Sequence, residues 1–297
     1  MENQPWKVWP LLPLCLSAAL IKATALELAI LAGHLLLYPT GITQERRAPG
    51  PHPTTPPDRA TAPSPRSTPS PHPVPLPTSG LDHHPPVVLL HGFVDNRSVF
   101  VLLRRSLSRH GWHHVESLNY SPLTCDVRTA AELLGRHVEE ICARTGHREI
   151  DIVGHSLGGL IARYYVQRLG GDVRVRTLVT LGTPHSGTAV APFAGAHPLV
   201  RQMRSGSAVI RELGEPAPHC RTHFICFWSD LDRLMVPVET ARLDHPDLIA
   251  RDVRVSGVGH LALPVHPAVA AGIRQALEAD GADAGVADSA SGSASVA

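Results

Sequence analysis

The residues with the clearest potential for chemistry in this chain surround Ser156. Gly154 and Gly158 stand two residues before and two residues after this serine. An apolar run that begins at Ile150 precedes the segment, and apolar residues spaced three and four apart follow it in a helical pattern. A strand, a sharp turn and a helix in this order hold a serine hydroxyl out at the end of a sheet, and glycines at these spacings admit the strained turn. We therefore predict that Ser156 is a nucleophile.

A serine nucleophile needs a base, and the base needs an acid that orients it. His260 lies in a glycine-containing loop after the last predicted strand and is the predicted base, with His266 at the entry to the last helix as the alternative. The acid is expected after the preceding strand, where Asp230 and Asp232 both fit by spacing. We prefer Asp232 because it stands just before the apolar segment 234–236, and we interpret Asp230 as a turn or helix cap.

Acyl transfer from an ester also requires hydrogen-bond donors for the oxyanion of the tetrahedral intermediate. The backbone N–H of Leu157, directly after the serine, is the first predicted donor. The second is expected from Phe93, in the loop after the first predicted strand. His91 in the same loop is interpreted as a residue that holds the loop by hydrogen bonding.

Short apolar runs that alternate with helical patterns position these residues. Strands are predicted over residues 87–90, 115–119, 150–153, 175–181, 224–228 and 253–255. Helices are predicted over residues 98–110, 127–144, 160–169, 198–213 and 267–279. This alternation predicts an α/β fold, with a mostly parallel sheet of about six strands flanked by helices.

The N-terminal part of the chain is expected to serve location and not catalysis. Residues 8–38 are apolar apart from Lys22, Glu27 and His34, and such a run can cross a bilayer if its charges are paired or sheltered. We interpret residues 1–47 as a membrane-associated segment or a cleaved signal, which places the protein at the extracytoplasmic face of the cell membrane or outside the cell. A helix packed on the catalytic domain is the third interpretation. Without residues 1–86 the chain is expected to keep its activity.

The remaining boundaries follow from composition. Residues 48–86 hold half of the chain's 28 prolines, so residues 48–85 are predicted to form a disordered linker. Residues 86–279 are the predicted catalytic domain, and the small, polar residues 280–297 a disordered tail. Residues 189–220 offer the only room for a lid over the site. The helix predicted there is short, so we expect a small or absent lid, a partly open site and a preference for short and medium acyl chains.

Composition also excludes several classes of partner. The net charge of +1 and the lack of a basic tract argue against nucleic acid. The five cysteines show no disulfide framework, and no set of residues has the spacing of metal ligands, so neither a metal nor a required disulfide is expected. A monomer is expected.

Five segments taken together resemble a known family. They are His91 to Phe93, residues 154–159 (GHSLGG), residues 181–187 (LGTPHSG), residues 232–237 and residues 257–261 (GVGHL). As a set they are similar to bacterial triacylglycerol lipases and esterases of the α/β-hydrolase superfamily, and most similar to the small lipases of the bacillus and streptomycete type. The resemblance covers about residues 86–279.

This resemblance implies an α/β-hydrolase fold and a carboxylic ester hydrolase that acts on a small-molecule or lipid ester without a cofactor. It implies Ser156, Asp232 and His260 as the catalytic triad and Phe93 and Leu157 as the oxyanion donors. An acyltransferase that moves acyl groups between lipid or cell-envelope alcohols is the alternative, because the same triad serves both reactions. A membrane-tethered binding module without catalysis is the third hypothesis.

Overall fold

A computed structural model describes residues 18–41, 84–120, 126–189 and 197–290. Most of the predicted linker, the end of the predicted tail and residues 190–196 of the predicted lid segment lie outside these ranges. Cys15 and Cys125 also lie outside them. Every predicted catalytic and oxyanion residue lies within them.

Six parallel strands form one sheet. In chain order they are β1 (Val87–Leu90), β2 (Val115–Leu118), β3 (Ile150–His155), β4 (Val175–Leu181), β5 (His223–Ser229) and β6 (Ile249–Val255). Their order across the sheet is β2-β1-β3-β4-β5-β6, and each neighbouring pair is parallel. The predicted parallel sheet is confirmed. Every residue of β1 and β3 is buried, as expected for central strands that helices cover on both faces.

Helices cover both faces of the sheet. They are α1 (Ala18–Gly41), α2 (Val101–Arg109), α3 (Val127–Thr145), α4 (Leu157–Arg168), α5 (Pro198–Gln202), α6 (Ala208–Leu213) and α7 (Pro267–Ala290). Short 3₁₀ helices include Arg97–Phe100 and Leu263–Val265. One hydrophobic cluster joins the sheet to α3, α4 and α6, and the second joins its opposite face to α2 and α7. Because all six strands are parallel, the loops that follow their carboxyl ends lie at the same edge of the sheet.

The segment after β4 differs from the prediction. The single helix predicted over residues 198–213 is wrong, because α5 and α6 are separate helices. Helix α5 ends with Met203 as its C-cap, and Gly206 in the following turn has a φ of +72°, a left-handed conformation that a continuous helix does not admit. Ser207 then caps α6, since its side-chain oxygen accepts a hydrogen bond from the Ile210 N–H at 3.2 Å.

Both ends of the described chain are helical. Helix α7 continues beyond residue 279 to Ala290, so part of the predicted tail is helical. Helix α1 contacts the 3₁₀ helix Arg97–Phe100, and Ile30 packs against the second hydrophobic cluster. Of the three interpretations of the N-terminal segment, packing on the catalytic domain is the one seen for α1. Within the described ranges, we find no helix with both the length and the hydropathy needed to cross a membrane.

Candidate active site

The predicted nucleophile occupies a strained turn between β3 and α4. Ser156 has a φ of +52°, and among the described residues no other non-glycine residue has a positive φ. A Cβ on Gly154 would lie 2.6 Å from the backbone of Gly159, and one on Gly158 would lie 2.3 Å from the carbonyl oxygen of Leu90. Only glycine fits at these two positions, so the sequence pattern around the serine reflects close backbone contacts.

The two predicted oxyanion donors belong to segments that border the serine. Leu157 is the first residue of α4, where backbone N–H groups lack partners within the helix and the helix dipole is positive. The loop after β1 lies against the serine from the other side, since a Cβ on Gly92 would be 3.4 Å from Ser156 Cβ. Phe93 follows in this loop, and its ring meets that of His197 at the start of α5, edge to face, at 5.1 Å.

The loops after β5 and β6 bring together the predicted acid and base. Asp232 Oδ2 lies 2.7 Å from His260 Nδ1, and both side chains are buried. Asp232 Oδ1 accepts hydrogen bonds from the backbone N–H groups of Leu234 and Met235. Burial lowers the pKa of His260, but the charge and hydrogen bond of Asp232, helped by Asp95 and Glu27, outweigh burial and raise the pKa above its ordinary value.

The alternative acid has other partners, and the alternative base lies at the entry to a helix. Asp230 pairs with Arg254 at 2.8 Å and accepts a hydrogen bond from the Gly257 N–H, and the guanidinium of Arg254 lowers the pKa of this carboxyl. Asp230 therefore caps the loop that carries the predicted base without contacting the base. His266 lies at the entry to α7, as the sequence indicates.

A buried histidine that sequence analysis did not assign joins the two halves of the site. His155 Nδ1 lies 3.0 Å from Asp95 Oδ2, and its Nε2 lies 3.2 Å from the carbonyl oxygen of His260. The rings of His155 and His260 are 4.8 Å apart between centroids. Because His155 directly precedes Ser156, this contact places the base loop beside the nucleophile. The signal in the sequence that could have indicated this role is the position of His155 directly before the predicted nucleophile.

The loop after β4 packs against the site. Thr183 Oγ1 donates a hydrogen bond to the carbonyl oxygen of Ser156 at 3.0 Å. A Cβ on Gly182 would lie 2.8 Å from Asp232 Oδ2 and 3.0 Å from His260 Nδ1. The LGTPHSG segment thus contacts both the nucleophile turn and the acid–base pair.

His91 has the surroundings of a structural residue. Its ring stacks on that of Tyr120 with centroids 4.4 Å apart, and the Tyr120 hydroxyl donates to its carbonyl oxygen. Burial lowers the pKa of His91, which favours the neutral ring. These contacts hold the loop that precedes Phe93, in agreement with the interpretation from sequence.

One element of the site comes from the N-terminal helix. A cavity of about 220 Å³ lies beside His260. It is lined by Thr24, Glu27, Leu231, Arg233, Leu234, Gly259, His260 and Leu261. Thr24 and Glu27 belong to α1, so the N-terminal helix borders this cavity. A lone carboxylate in an apolar helix was the signal that could have indicated such a contact. In the described parts of the chain, no three His, Cys, Asp or Glu side chains converge as metal ligands.

The parallel sheet with the order β2-β1-β3-β4-β5-β6 and helices on both faces has the α/β-hydrolase fold. Solved structures with this fold include a Bacillus licheniformis lipase in its propeptide form, which is 17% identical with a TM-score of 0.53, over 66% of this chain and 49% of that one. Aspergillus fumigatus lipase B is 18% identical with a TM-score of 0.52, over 60% of this chain and 47% of that one.

The family follows from the sequence. The profile of the palmitoyl protein thioesterase family matches residues 86–239, and the chain belongs to this family. The match contains the serine turn, the predicted oxyanion loop and Asp232, and it ends before the loop of His260.

Curated relatives confirm the resemblance to bacterial lipases. A triacylglycerol lipase of Pseudarthrobacter phenanthrenivorans is 32% identical over 116 residues, which are 36% of this chain and 35% of that protein. A triacylglycerol lipase of Burkholderia plantarii is 32% identical over 116 residues, which are 36% of this chain and 32% of that protein. The chain thus spans about a third of the length of these relatives.

Proposed function

We propose that the protein is a carboxylic ester hydrolase in which Ser156 is the nucleophile, His260 the base and Asp232 the acid that orients the base. The observation that carries this proposal is the 2.7 Å contact between Asp232 Oδ2 and His260 Nδ1 at the sheet edge where Ser156 occupies its strained turn. The three residues lie on three loops, which follow β3, β5 and β6, and they occur in the chain order serine, acid, histidine, which is the order of α/β-hydrolases.

The reaction proceeds through an acyl-enzyme. Ser156 Oγ forms a bond to the acyl carbon while its proton passes to His260 Nε2, and the resulting imidazolium donates from Nδ1 to the Asp232 carboxylate. Collapse of the tetrahedral intermediate breaks the bond to the alcohol, which leaves with the proton from His260. Water then attacks the acyl-enzyme by the same route and releases the acid. The N–H groups of Phe93 and Leu157 stabilise the oxyanion in both steps.

The substrate we propose is an oxygen ester of a short or medium acyl chain. The curated relatives are named triacylglycerol lipases, which supports an acylglycerol or a related lipid ester. The cavity beside His260 measures about 220 Å³ and has leucines in its wall, whereas sites for drug-sized ligands measure about 300–1,000 Å³. A cavity of this size favours a short acyl group over a long one.

A graded ester panel tests this proposal. We expect the full-length chain to hydrolyse p-nitrophenyl esters with the highest kcat/KM at short or medium acyl length, and Ser156→Ala to abolish turnover. Acyl thioesters of the same chain length test the chemistry in the family's name, and an added alcohol acceptor tests acyl transfer. Faster cleavage of the thioester, faster transfer than hydrolysis, or full activity of Ser156→Ala would each contradict the proposal.

A further inference from the structure

Glu27 makes a contact that the proposed mechanism does not use. It is the one acidic residue within α1, and it is half-buried against the loop that follows His260. Glu27 Oε2 accepts a hydrogen bond from the Leu261 N–H at 3.2 Å, and Oε1 accepts one from the Ala262 N–H at 3.0 Å. These N–H groups stand at the start of the 3₁₀ helix Leu263–Val265, where backbone donors lack partners within the helix.

The close approach of Glu27 also accounts for a glycine beside the predicted base. A Cβ on Gly259 would lie 2.4 Å from the carboxyl carbon of Glu27, so a side chain at this position would displace the carboxylate. The turn itself occurs at Gly257, which has a φ of +77°. The two glycines of the GVGHL segment therefore serve different purposes, and Gly259 makes room for α1.

We propose that Glu27 is a positioning residue for His260, and that α1 thereby completes the active site. The inference rests on the proposed function of His260 as the base. By binding the two backbone N–H groups that follow His260, the carboxylate holds the base loop in register with Ser156. Its negative charge also stabilises the imidazolium that forms when His260 accepts the serine proton.

The titratable and charged groups around His260 come from four segments. Asp232 and Arg233 follow β5, Asp95 follows β1, His155 ends β3 and Glu27 comes from α1. Asp232 makes the direct hydrogen bond, whereas Glu27 acts through the backbone and through its charge. Removing the charge of Glu27 should therefore shift the titration of His260 downward without abolishing the Asp232 contact.

Two substitutions in the full-length chain test this role. Glu27→Gln keeps the shape and one acceptor oxygen but loses the charge and one hydrogen bond. Glu27→Ala loses the charge and both hydrogen bonds. We expect kcat to fall about 10- to 100-fold in Glu27→Ala and less in Glu27→Gln, with KM changed little, because small displacements of a catalytic group cost rates of this order. The acid limb of the kcat/KM profile should move to lower pH in both. Leu28→Ala is the matched control, since Leu28 is the next residue of α1 and 63% exposed.

Two further readouts separate the possible failures. NMR titration of His260 in a Ser156→Ala background reports the effect of Glu27→Gln even if no ester is turned over, so the positioning role and the proposed function can fail independently. Thermal melts identify loss of folding. Unchanged kcat and pH profile in Glu27→Ala would overturn the proposal, and so would a lower melting temperature with no shift in the titration of His260 in Glu27→Gln.

Discussion

The proposed nucleophile and the proposed base of this site are held in different ways. Ser156 follows β3, in which every residue is buried, and its turn is set by contacts between backbone atoms within one strand–turn–helix unit. His260 follows β6, an edge strand in which no residue is buried. Its loop depends on side chains from distant segments, namely Asp232, His155 and Glu27.

This difference bears on how each half tolerates change. A locally determined turn fails as a unit when its packing is disturbed, because backbone atoms have no room to move. A loop held by several separate side chains can lose one of them and keep part of its geometry. We therefore expect substitutions in the Ser156 turn to cause a large loss of activity or stability. Substitutions of the side chains that hold the His260 loop should each cause a partial loss of activity.

The largest effect is expected from the proposed nucleophile and base. Ser156→Ala and His260→Ala should each lower kcat by about 10⁶-fold, and the double variant should be no worse, because the residues act as a unit. Ester hydrolysis by the purified full-length variants checks this, with circular dichroism as the control for folding. Additive losses in the double variant would show that the two residues act independently.

The acid should matter less than the nucleophile and base. Asp232→Asn is expected to lower kcat by about 10⁴-fold, because the amide no longer stabilises the imidazolium or its correct tautomer. Asp230→Asn is the matched control two residues away and should change kcat by less than about fivefold, since exposed ion pairs contribute about 0–1 kcal/mol. A larger loss in Asp230→Asn than in Asp232→Asn would contradict the assignment of the acid.

Because the turn at Ser156 is closely packed, a larger side chain there should lower the free energy of unfolding. Gly158→Ala places a methyl group 2.3 Å from the Leu90 carbonyl oxygen, and overpacking of this kind costs about 1–3 kcal/mol. Urea denaturation measures this cost as a lower midpoint. Gly33→Ala in α1 is the control, since a Cβ there has no neighbour within 4 Å and alanine favours a helix. An unchanged midpoint in Gly158→Ala would show that the turn can relax.

The smallest effect concerns pH. Because neighbouring carboxylates raise the pKa of His260, kcat/KM for a neutral ester should fall as the pH decreases through a value above about 6.5, the ordinary histidine pKa. The sign follows from the role of the base, since a protonated imidazole cannot accept the serine proton. Rates from about pH 5 to about pH 9 measure the midpoint. A midpoint below about 6.5 would show that burial outweighs the carboxylates.

The same contrast explains what the sequence revealed. Short apolar runs and the glycine spacing around Ser156 are local patterns, and they predicted the sheet, the nucleophile turn and its helix. The pairing of Asp232 with His260 could be predicted from chain order. The contacts of Glu27 and of Asp95 with His155 could not, because they join residues far apart in the chain and leave no periodic signal. The break between α5 and α6 was missed because apolar spacing outweighed the turn residues Ser205, Gly206 and Ser207 in the prediction.

The most direct test of the account is covalent labelling of the nucleophile. Diethyl p-nitrophenyl phosphate transfers its phosphoryl group to a serine that a neighbouring histidine activates, and the adduct can be located by mass spectrometry of peptides. We predict one diethylphosphoryl group per chain on Ser156, inactivation in proportion to labelling, and no label in Ser156→Ala or His260→Ala. Labelling of another residue in step with inactivation, or an unlabelled Ser156 in a fully inactivated enzyme, would contradict the account.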